Sequence, residues 1–418
     1  MTPCSGPMPT SQPDERPDER PDERPGERFD GRPAQRDAHF MALALRLAAR
    51  GLGRTWPNPA VGCVVVRDGR VVGRGWTQPG GRPHAETEAL RRAGAQALGA
   101  TAYVTLEPCA HYGHTPPCTM ALIHAGVRRV VAATLCPDKR VDGQGIQQLR
   151  QAGVAVELGL MRAAAEALNA GFFLKERAGR PLVTLKLATS LDGRIATRSG
   201  MSQWLTGEQA RARGHWLRAT HDAIMIGSGT ALADDPALTC RLPGLEQRSP
   251  VRIVLDGRAR LPATSRLATG ARALPTWLFT RPEVAAGKRA AALRARGIEV
   301  LAAAPAPDRG LAPDQVLATL AGRGITRLLV EGGARLAAAL LRARLVDRLA
   351  WFQAPLIIGG DGLAAIGPLA LEDLAAAARF RREAGETLAP DTLQSYILMP
   401  EGEPCSPGSS PTSAGSPR

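Results

Sequence analysis

His84, Glu86, Cys109 and Cys118 are the residues of this chain whose types and spacing best suit chemistry. One imidazole and two thiolates supply three ligands to a tetrahedral zinc ion and leave the fourth position open for water. Glu86 stands two residues beyond His84 and need not bind the metal. It is placed to take a proton from that water and hand it to a leaving amine. His111 and His114 lie between the two cysteines. Either could close the site as a fourth ligand and make it purely structural, which would leave Glu86 without a task. His84 by itself reads as an ordinary core histidine; grouped with Glu86 and the Pro108-Cys109 pair, it reads as a ligand.

These side chains need elements that carry them to one point. The apolar spacing of Phe40, Met41, Leu43, Ala44 and Leu47 predicts a helix from near Asp37, ended by Gly51. Pro57-Asn58-Pro59 reads as a rigid loop. Residues 61–66 and 70–76 read as strands of a hairpin turned by Asp68-Gly69. His84 opens a helix reaching about Ala97, a strand at 101–106 delivers Pro108-Cys109, and Cys118 opens another helix to about Ala125. A helix N-terminus favours the thiolate that binds metal. Strands at 129–134 and 154–158, with a helix at 146–152 between them, complete a pattern that predicts a three-layer α/β domain. One helix over 163–176 leaves this unit, and 177–181 reads as a linker. A second α/β series follows: strands at 182–187, 223–227, 251–255, 276–280 and 327–330, with a helix at 207–219.

Composition sets the frame. A chain of 418 residues suggests two or three domains. No run of apolar residues is long enough for a transmembrane helix, and no basic-then-apolar N-terminal pattern indicates a signal peptide. Seven scattered cysteines, two of them in the metal pattern, point to a reducing cytoplasm rather than a disulfide framework. The net charge of +14 raises the question of nucleic acid. There is no Lys/Arg run of five and few aromatics to stack bases, so nucleic-acid binding is not expected; anionic small molecules fit the charge better. The segment PDERPDERPDERPGER has Pro at every fourth position and no apolar face. Residues 1–35 therefore read as a disordered tail, with partner binding as the alternative. The Ser/Pro/Gly-rich 401–418 reads as a second tail.

Zinc deaminases of nucleobases carry H-x-E followed by P-C-x-x-C. Here the second cysteine comes after eight intervening residues rather than two. With that spacing, the stretches Asn58-Pro59-Ala60-Val61-Gly62-Cys63, His84-Ala85-Glu86, Thr105-Leu106-Glu107-Pro108-Cys109 and Thr115-Pro116-Pro117-Cys118 resemble the bifunctional riboflavin-biosynthesis deaminase/reductase family. The long Cys-to-Cys interval separates that family from nucleoside and tRNA deaminases. His114 departs from it, standing where the family usually has Arg, and concerns a substrate contact rather than the metal.

The second half extends the resemblance. Lys186 to Arg194, Ser202-Gln203-Trp204-Leu205-Thr206, Leu217-Arg218-Ala219, Gly227 with Thr230, Asp234 to Arg241 and Glu331-Gly332-Gly333 are similar, in order, to the reductase part of the same family. Taken alone they say less. Gly332-Gly333 could bring backbone N–H groups to a phosphate or simply make a turn with positive φ. Arg218 and Arg241 could clamp a phosphate or be solvated cations. Lys186 alone is an edge charge.

The resemblance implies a cytidine-deaminase-like three-layer domain over residues 36–176, and a dihydrofolate-reductase-like α/β domain over 181–400. It implies zinc on His84, Cys109 and Cys118, with Glu86 catalytic. It implies NADPH held by Ala188, Trp204, Thr230, Asp234 and Gly333. A phosphoribosyl substrate would be held by Lys186, Ser202, Arg218, Leu238, Arg241 and Glu331. The implied reactions are hydrolytic deamination of a phosphorylated diaminopyrimidinone, then hydride transfer that turns its ribosyl group into ribityl. Gly257 stands where the family often has Ser. The expected partner is that small pyrimidine, without nucleic acid or membrane, in a cytoplasmic protein that could form a homo-oligomer. Two rivals remain. A nucleoside or nucleic-acid deaminase with an unrelated appended domain predicts a two-residue Cys spacing, and a regulator built on a dead deaminase predicts loss of Glu86 or of a ligand.

Overall fold

The computed structural model of the protein describes residues 33–113, 116–306 and 310–400. The PDER repeat, His114 and the Ser/Pro/Gly-rich tail lie outside the described residues. The first series runs α1 (Pro33–Ala49), β1 (Gly62–Arg67), β2 (Arg70–Trp76), α2 (Ala85–Ala93), β3 (Thr101–Val104), α3 (Cys118–His124), β4 (Arg129–Ala132), α4 (Gln144–Gln151), β5 (Ala155–Leu158), α5 (Arg162–Leu168) and α6 (Ala170–Ala178). Its five strands order as β2-β1-β3-β4-β5, antiparallel through β3 and parallel beyond.

Strand alternation sorts the core onto two faces. Cys63, Val65, Ala102, Val104 and Val130 point to one side, where α2, α3 and α4 cover them through Ala85, Ala89, Leu122 and Leu149. Val64, Val66, Tyr103 and Val131 point to the other, under Phe40, Met41 and Ala44 of α1 and Ala165 of α5. The expected three layers are present. Asp68 and Gly69 both adopt positive φ, as a tight hairpin requires.

Two element boundaries differ from the sequence pattern for identifiable reasons. Helix α1 begins at Pro33 rather than near Asp37. Pro suits a first helical turn, while the Asp37 carboxylate accepts from Arg129 and from the Tyr103 hydroxyl. The single helix expected over 163–176 is two helices that break at Asn169. That side chain leaves the helical pattern to bind the backbone of Ala60, accepting from its N–H and donating to its carbonyl, both at 2.9 Å.

The second series runs β6 (Leu182–Thr189), β7 (Arg194–Ala196), α7 (Glu208–Ala219), β8 (Ala223–Gly227), α8 (Ser228–Asp234), β9 (Val251–Leu255), α9 (Arg266–Thr269), β10 (Thr276–Thr280), α10 (Pro282–Ala285) and α11 (Lys288–Ala295). It continues with β11 (Glu299–Ala302), α12 (Pro313–Gly322), β12 (Arg327–Val330), α13 (Ala334–Arg342), β13 (Arg348–Gln353), β14 (Leu363–Ala364), β15 (Phe380–Leu388) and β16 (Asp391–Leu398). Nine of these strands form one sheet in the order β11-β10-β9-β8-β12-β6-β13-β16-β15.

From β8 the chain walks outward to β11, then returns to insert β12 between β8 and β6. These strands are parallel, so the C-terminal ends of β6, β8 and β12 share one edge of the sheet. Ligands of open α/β sheets bind at such a reversal of strand order. The turn from the first series to the second is short: Gly179 caps α6 at φ 65°, and Arg180 pairs with Asp347 at 2.8 Å.

Helix α2 can lie on the sheet only where β2 has no side chain. A Cβ added at Gly75 would sit 2.1 Å from the Ala85 carbonyl oxygen and 2.6 Å from the Ala89 nitrogen, both backbone atoms that cannot step aside. Gly75→Ala should therefore push α2 off the sheet and cost about 1–3 kcal/mol. The urea midpoint reads this, and an unchanged midpoint would contradict the packing.

Candidate functional site

His84 is the N-cap of α2, Cys118 is the first residue of α3, and Cys109 lies on the loop leaving β3. Both helices sit on the same face of the sheet, so their N-termini and the strand exit meet. His84 Nδ1 lies 3.3 Å from Cys118 Sγ and 3.6 Å from Cys109 Sγ. The three ligand atoms all fall within 4.8 Å of one another. Zn–S and Zn–N bonds at a tetrahedral centre imply edges of about 3.5–3.8 Å, so this donor set fits zinc. Among the described residues no other group joins the cluster, and His111 is outside it; His114 lies outside the described residues.

The electrostatics divide the two thiols: the bond that Cys118 donates to Cys109, then burial, hold the Cys118 thiol well up, against the thiolate expected at a helix N-terminus. The Cys118 N–H and thiol both donate to Cys109 and, with His84, hold its thiol down at about 4; that makes Cys109 the ready thiolate. Glu86, on the first turn of α2, is 4% exposed. Burial is the main cause that raises its carboxyl to about 7, partly offset by His84. A carboxyl poised there can both accept and release a proton near neutrality. Cys63, fully buried on β1, lines the same space with its thiol pushed well up by burial and by Glu86.

Glu107 ties the site together in a way that sequence reasoning passed over. Its buried carboxylate accepts from the N–H groups of Cys136, Gly143, Gly145 and Ile146 at 2.9–3.3 Å. It fastens the loop that holds Pro108-Cys109 to the start of α4. The clue was an acidic residue at the end of an apolar strand, which is stable there only when fully hydrogen-bonded. Thr119 adds a second tie, its hydroxyl donating to the Cys109 carbonyl at 3.2 Å and to Gln148 at 2.5 Å.

At the C-terminal edge of the second sheet, the Glu331 carboxylate follows β12 and takes both arms of the Arg218 guanidinium at 2.8 Å, with Lys186 at 3.9 Å. Burial would raise its carboxyl, but Arg218 and Lys186 outweigh that and bring it to about 2. The remaining Arg218 Nη1 donates to the Thr239 carbonyl at 3.0 Å. So the fork that could clamp a phosphate is engaged by a carboxylate, and Arg241, exposed beside it, is the freer cation.

His215 of α7 was not anticipated. Its Nδ1 is buried without a hydrogen-bond partner, and burial followed by Arg218 and Arg241 pushes the ring down to about 4, so it is neutral. Nothing in the local sequence marks it.

Gly333 caps α13 and its N–H donates to Thr230 Oγ1 at 3.1 Å, joining two of the expected cofactor residues. Neither Gly332 nor Gly333 has positive φ, so the turn alternative does not account for the pair. Ala188 packs among Phe352, Ala350 and Leu393 on the β6 side of the site. Leu238 is buried at φ 55°, and Asp234 closes α8 with its carboxyl raised by burial. Ser202 and Trp204 lie on the exposed loop before α7, where Arg211 stacks 4.8 Å above the Trp204 ring. At Gly257 a Cβ would meet nothing nearer than Arg281 Nε at 3.5 Å, so packing does not explain the missing serine.

Comparison with known proteins follows the same division. Residues 34–134 match the cytidine and deoxycytidylate deaminase zinc-binding region, and residues 181–393 match the RibD C-terminal domain. The riboflavin biosynthesis protein RibD of Escherichia coli (strain K12) is 44% identical over 367 residues, covering 85% of this chain and 98% of that protein. That of Aquifex aeolicus (strain VF5) is 41% identical over 357 residues, 85% of this chain and 97% of that protein. Among solved structures, Acinetobacter baumannii RibD (form 1) superposes with a TM-score of 0.77 at 38% identity, covering 88% of this chain and 100% of that chain. A Thermotoga maritima diaminohydroxyphosphoribosylaminopyrimidine deaminase/5-amino-6-(5-phosphoribosylamino)uracil reductase gives a TM-score of 0.77 at 33% identity, over 88% of this chain and 99% of that chain. With a metal-type cluster at one sheet and a charged strand-end site at the other, the chain belongs to the RibD family of riboflavin biosynthesis proteins.

Proposed function

We propose that the chain carries out two consecutive steps of riboflavin biosynthesis. Residues before about 177 deaminate 2,5-diamino-6-(5-phosphoribosylamino)pyrimidin-4(3H)-one. Residues from 181 onward reduce the resulting ribosyl group to ribityl with NADPH. The observation that carries the reading is the meeting of His84, Cys109 and Cys118 beside the buried Glu86. A regulator on a dead deaminase fits it poorly, because all four side chains are present and converge.

His84, Cys109 and Cys118 would hold zinc, which when bound supplies Lewis acidity and makes water acidic near neutral pH. The chain's own part in the chemistry is the proton. Glu86 takes it at its carboxylate as water adds to the amino-bearing carbon, and returns it to the departing nitrogen, so that water enters and ammonia leaves. Burial keeps that carboxyl away from bulk solvent.

At the second site NADPH supplies the hydride, and the protein binds and orients. Thr230 and Gly333, tied to each other by the Gly333 N–H, are assigned to that cofactor together with Ala188, Trp204 and Asp234. For the substrate, Lys186, Arg218 and Arg241 place three cations around the single carboxylate Glu331, an excess suited to the phosphate of a phosphoribosyl group. Ser202 and Leu238 are assigned to that substrate. Among the described residues, no helix is long and apolar enough to cross a membrane.

Three outcomes are expected. Cys109→Ser should lose zinc, measured by elemental analysis, together with ammonia release; full deamination by metal-free protein would contradict the assignment. Glu86→Gln should keep zinc and lose turnover by roughly 10²–10⁴-fold, the usual weight of general acid–base catalysis. Near-normal ammonia release in that variant would remove Glu86 from the mechanism. Arg241→Ala should leave ammonia release intact and raise KM for reduction, with kcat/KM falling roughly ten- to hundred-fold for a lost charge-assisted contact. Unchanged NADPH oxidation kinetics would exclude the phosphate role.

A further inference from the structure

The loop that delivers His84 is held from outside itself. Gly80 N–H donates to the Arg54 carbonyl at 2.8 Å, and Asn58 Nδ2 donates to the Gly81 carbonyl at 2.8 Å. Thr77 and Val61 are linked both ways, Val61 N–H to Thr77 Oγ1 at 3.0 Å and Thr77 N–H to the Val61 carbonyl at 2.9 Å. So the segment 54–61 sets where residues 77–83 lie, and His84 follows directly.

That segment leans on the other half of the chain. Trp56 packs against the core cluster of the second sheet, to which β6, β12 and α12 contribute. A Cβ at Gly324 would be 2.7 Å from Pro57 Cβ, which marks how closely those loops touch. Ala60 is clamped by Asn169, and the carbonyl of the neighbouring Leu168 accepts from Arg327 Nη1 at 3.4 Å. Two residues on, a Cβ at Gly171 would sit 2.3 Å from the Thr326 carbonyl oxygen. Thr326 and Arg327 are themselves fixed, because the buried Asp222 carboxylate accepts from both their N–H groups and from the Thr326 hydroxyl at 2.7–2.9 Å. Arg327 is buried at this seam with its Nε unpartnered, a costly arrangement for folding alone.

The geometry points to Arg327 and Gly171 as positioning residues for the metal centre: the second half of the chain, across this seam, sets segment 54–61 and hence the loop that presents His84. The inference rests on the deaminase reading above. It also separates the two sites cleanly, because Arg327 opens β12 while Glu331 lies just past its far end.

The test uses the full-length protein and its Arg327→Met, Arg327→Lys and Gly171→Ala variants. Gly171→Ala keeps every polar group and is tolerated by helix backbone, so it acts as a wedge in the seam. Four readouts are needed: metal per chain, the visible spectrum of cobalt-substituted protein, ammonia-release kinetics, and NADPH-oxidation kinetics on the deaminated substrate. Arg327→Met and Gly171→Ala should keep their metal but shift the cobalt bands, and kcat/KM for ammonia release should fall roughly ten- to hundred-fold, as small misplacements do. NADPH oxidation should stay unchanged, and Arg327→Lys should restore much of the loss. Wild-type cobalt bands and ammonia release in folded Arg327→Met or Gly171→Ala would overturn the inference, as would equal losses in both activities. If Arg327→Met fails to fold, Gly171→Ala decides alone. Absence of ammonia release from the unaltered protein would instead refute the deaminase reading, while the cobalt spectra still judge the seam.

Discussion

The first site depends on how closely one helix backbone can approach one strand. Helix α2 carries His84 at its cap and Glu86 in its first turn, and it reaches the sheet over Gly73 and Gly75, where any Cβ would collide with the carbonyls of Ala89 and Ala85. That contact fixes the helix end at a depth where Glu86 is buried and His84 faces two thiols. Cys118 comes from a second helix end on the same face, and Cys109 from the loop that leaves β3 between them. Of the two thiols only Cys109, on the loop, is held toward the thiolate; the bond Cys118 donates to Cys109, and its burial, hold the Cys118 thiol up, so metal binding must take its proton.

The second site is built on a different imbalance. One carboxylate, Glu331, is buried and saturated by Arg218 and Lys186, and Arg241 adds further cationic charge near it. It lies at the edge where β12 re-enters the sheet beside β8 and β6, so Lys186 of β6, Thr230 of α8 and Glu331 after β12, distant in sequence, come to one edge of the sheet. The two sites stand on separate sheets, yet the chain between them is short and fixed, with Asn169, Arg180 and Arg327 each bonded across turns or across the seam.

Much of this was legible in the sequence, and the reasons differ by element. His84, Cys109 and Cys118 were readable because metal ligands have narrow chemical requirements, and their convergence in space agrees with their spacing. The β1–β2 hairpin was readable because Asp68-Gly69 leaves few conformations. The break at Asn169 was not, since its cause is a contact with Ala60, more than a hundred positions away. The β15–β16 hairpin gave no apolar alternation, because β15 lies at the sheet edge with most of its side chains in solvent. Glu107 looked like part of a motif, and only the four N–H groups around it reveal its work. Arg218 looked like a phosphate clamp; its fork is turned to Glu331, a pairing no local pattern announces. His215 is set by neighbours from elsewhere in the chain and so was invisible.

The most direct measurement follows both chemistries in one vessel. The zinc-loaded protein is mixed with the diaminopyrimidinone substrate without NADPH, and ammonia is measured; NADPH is then added and its absorbance followed. One equivalent of ammonia should appear first, with the deaminated ribosyl compound accumulating, and one equivalent of NADPH should be consumed only afterwards. Consumption of NADPH without prior ammonia release, or ammonia release that requires NADPH, would contradict two ordered steps at two separate sites.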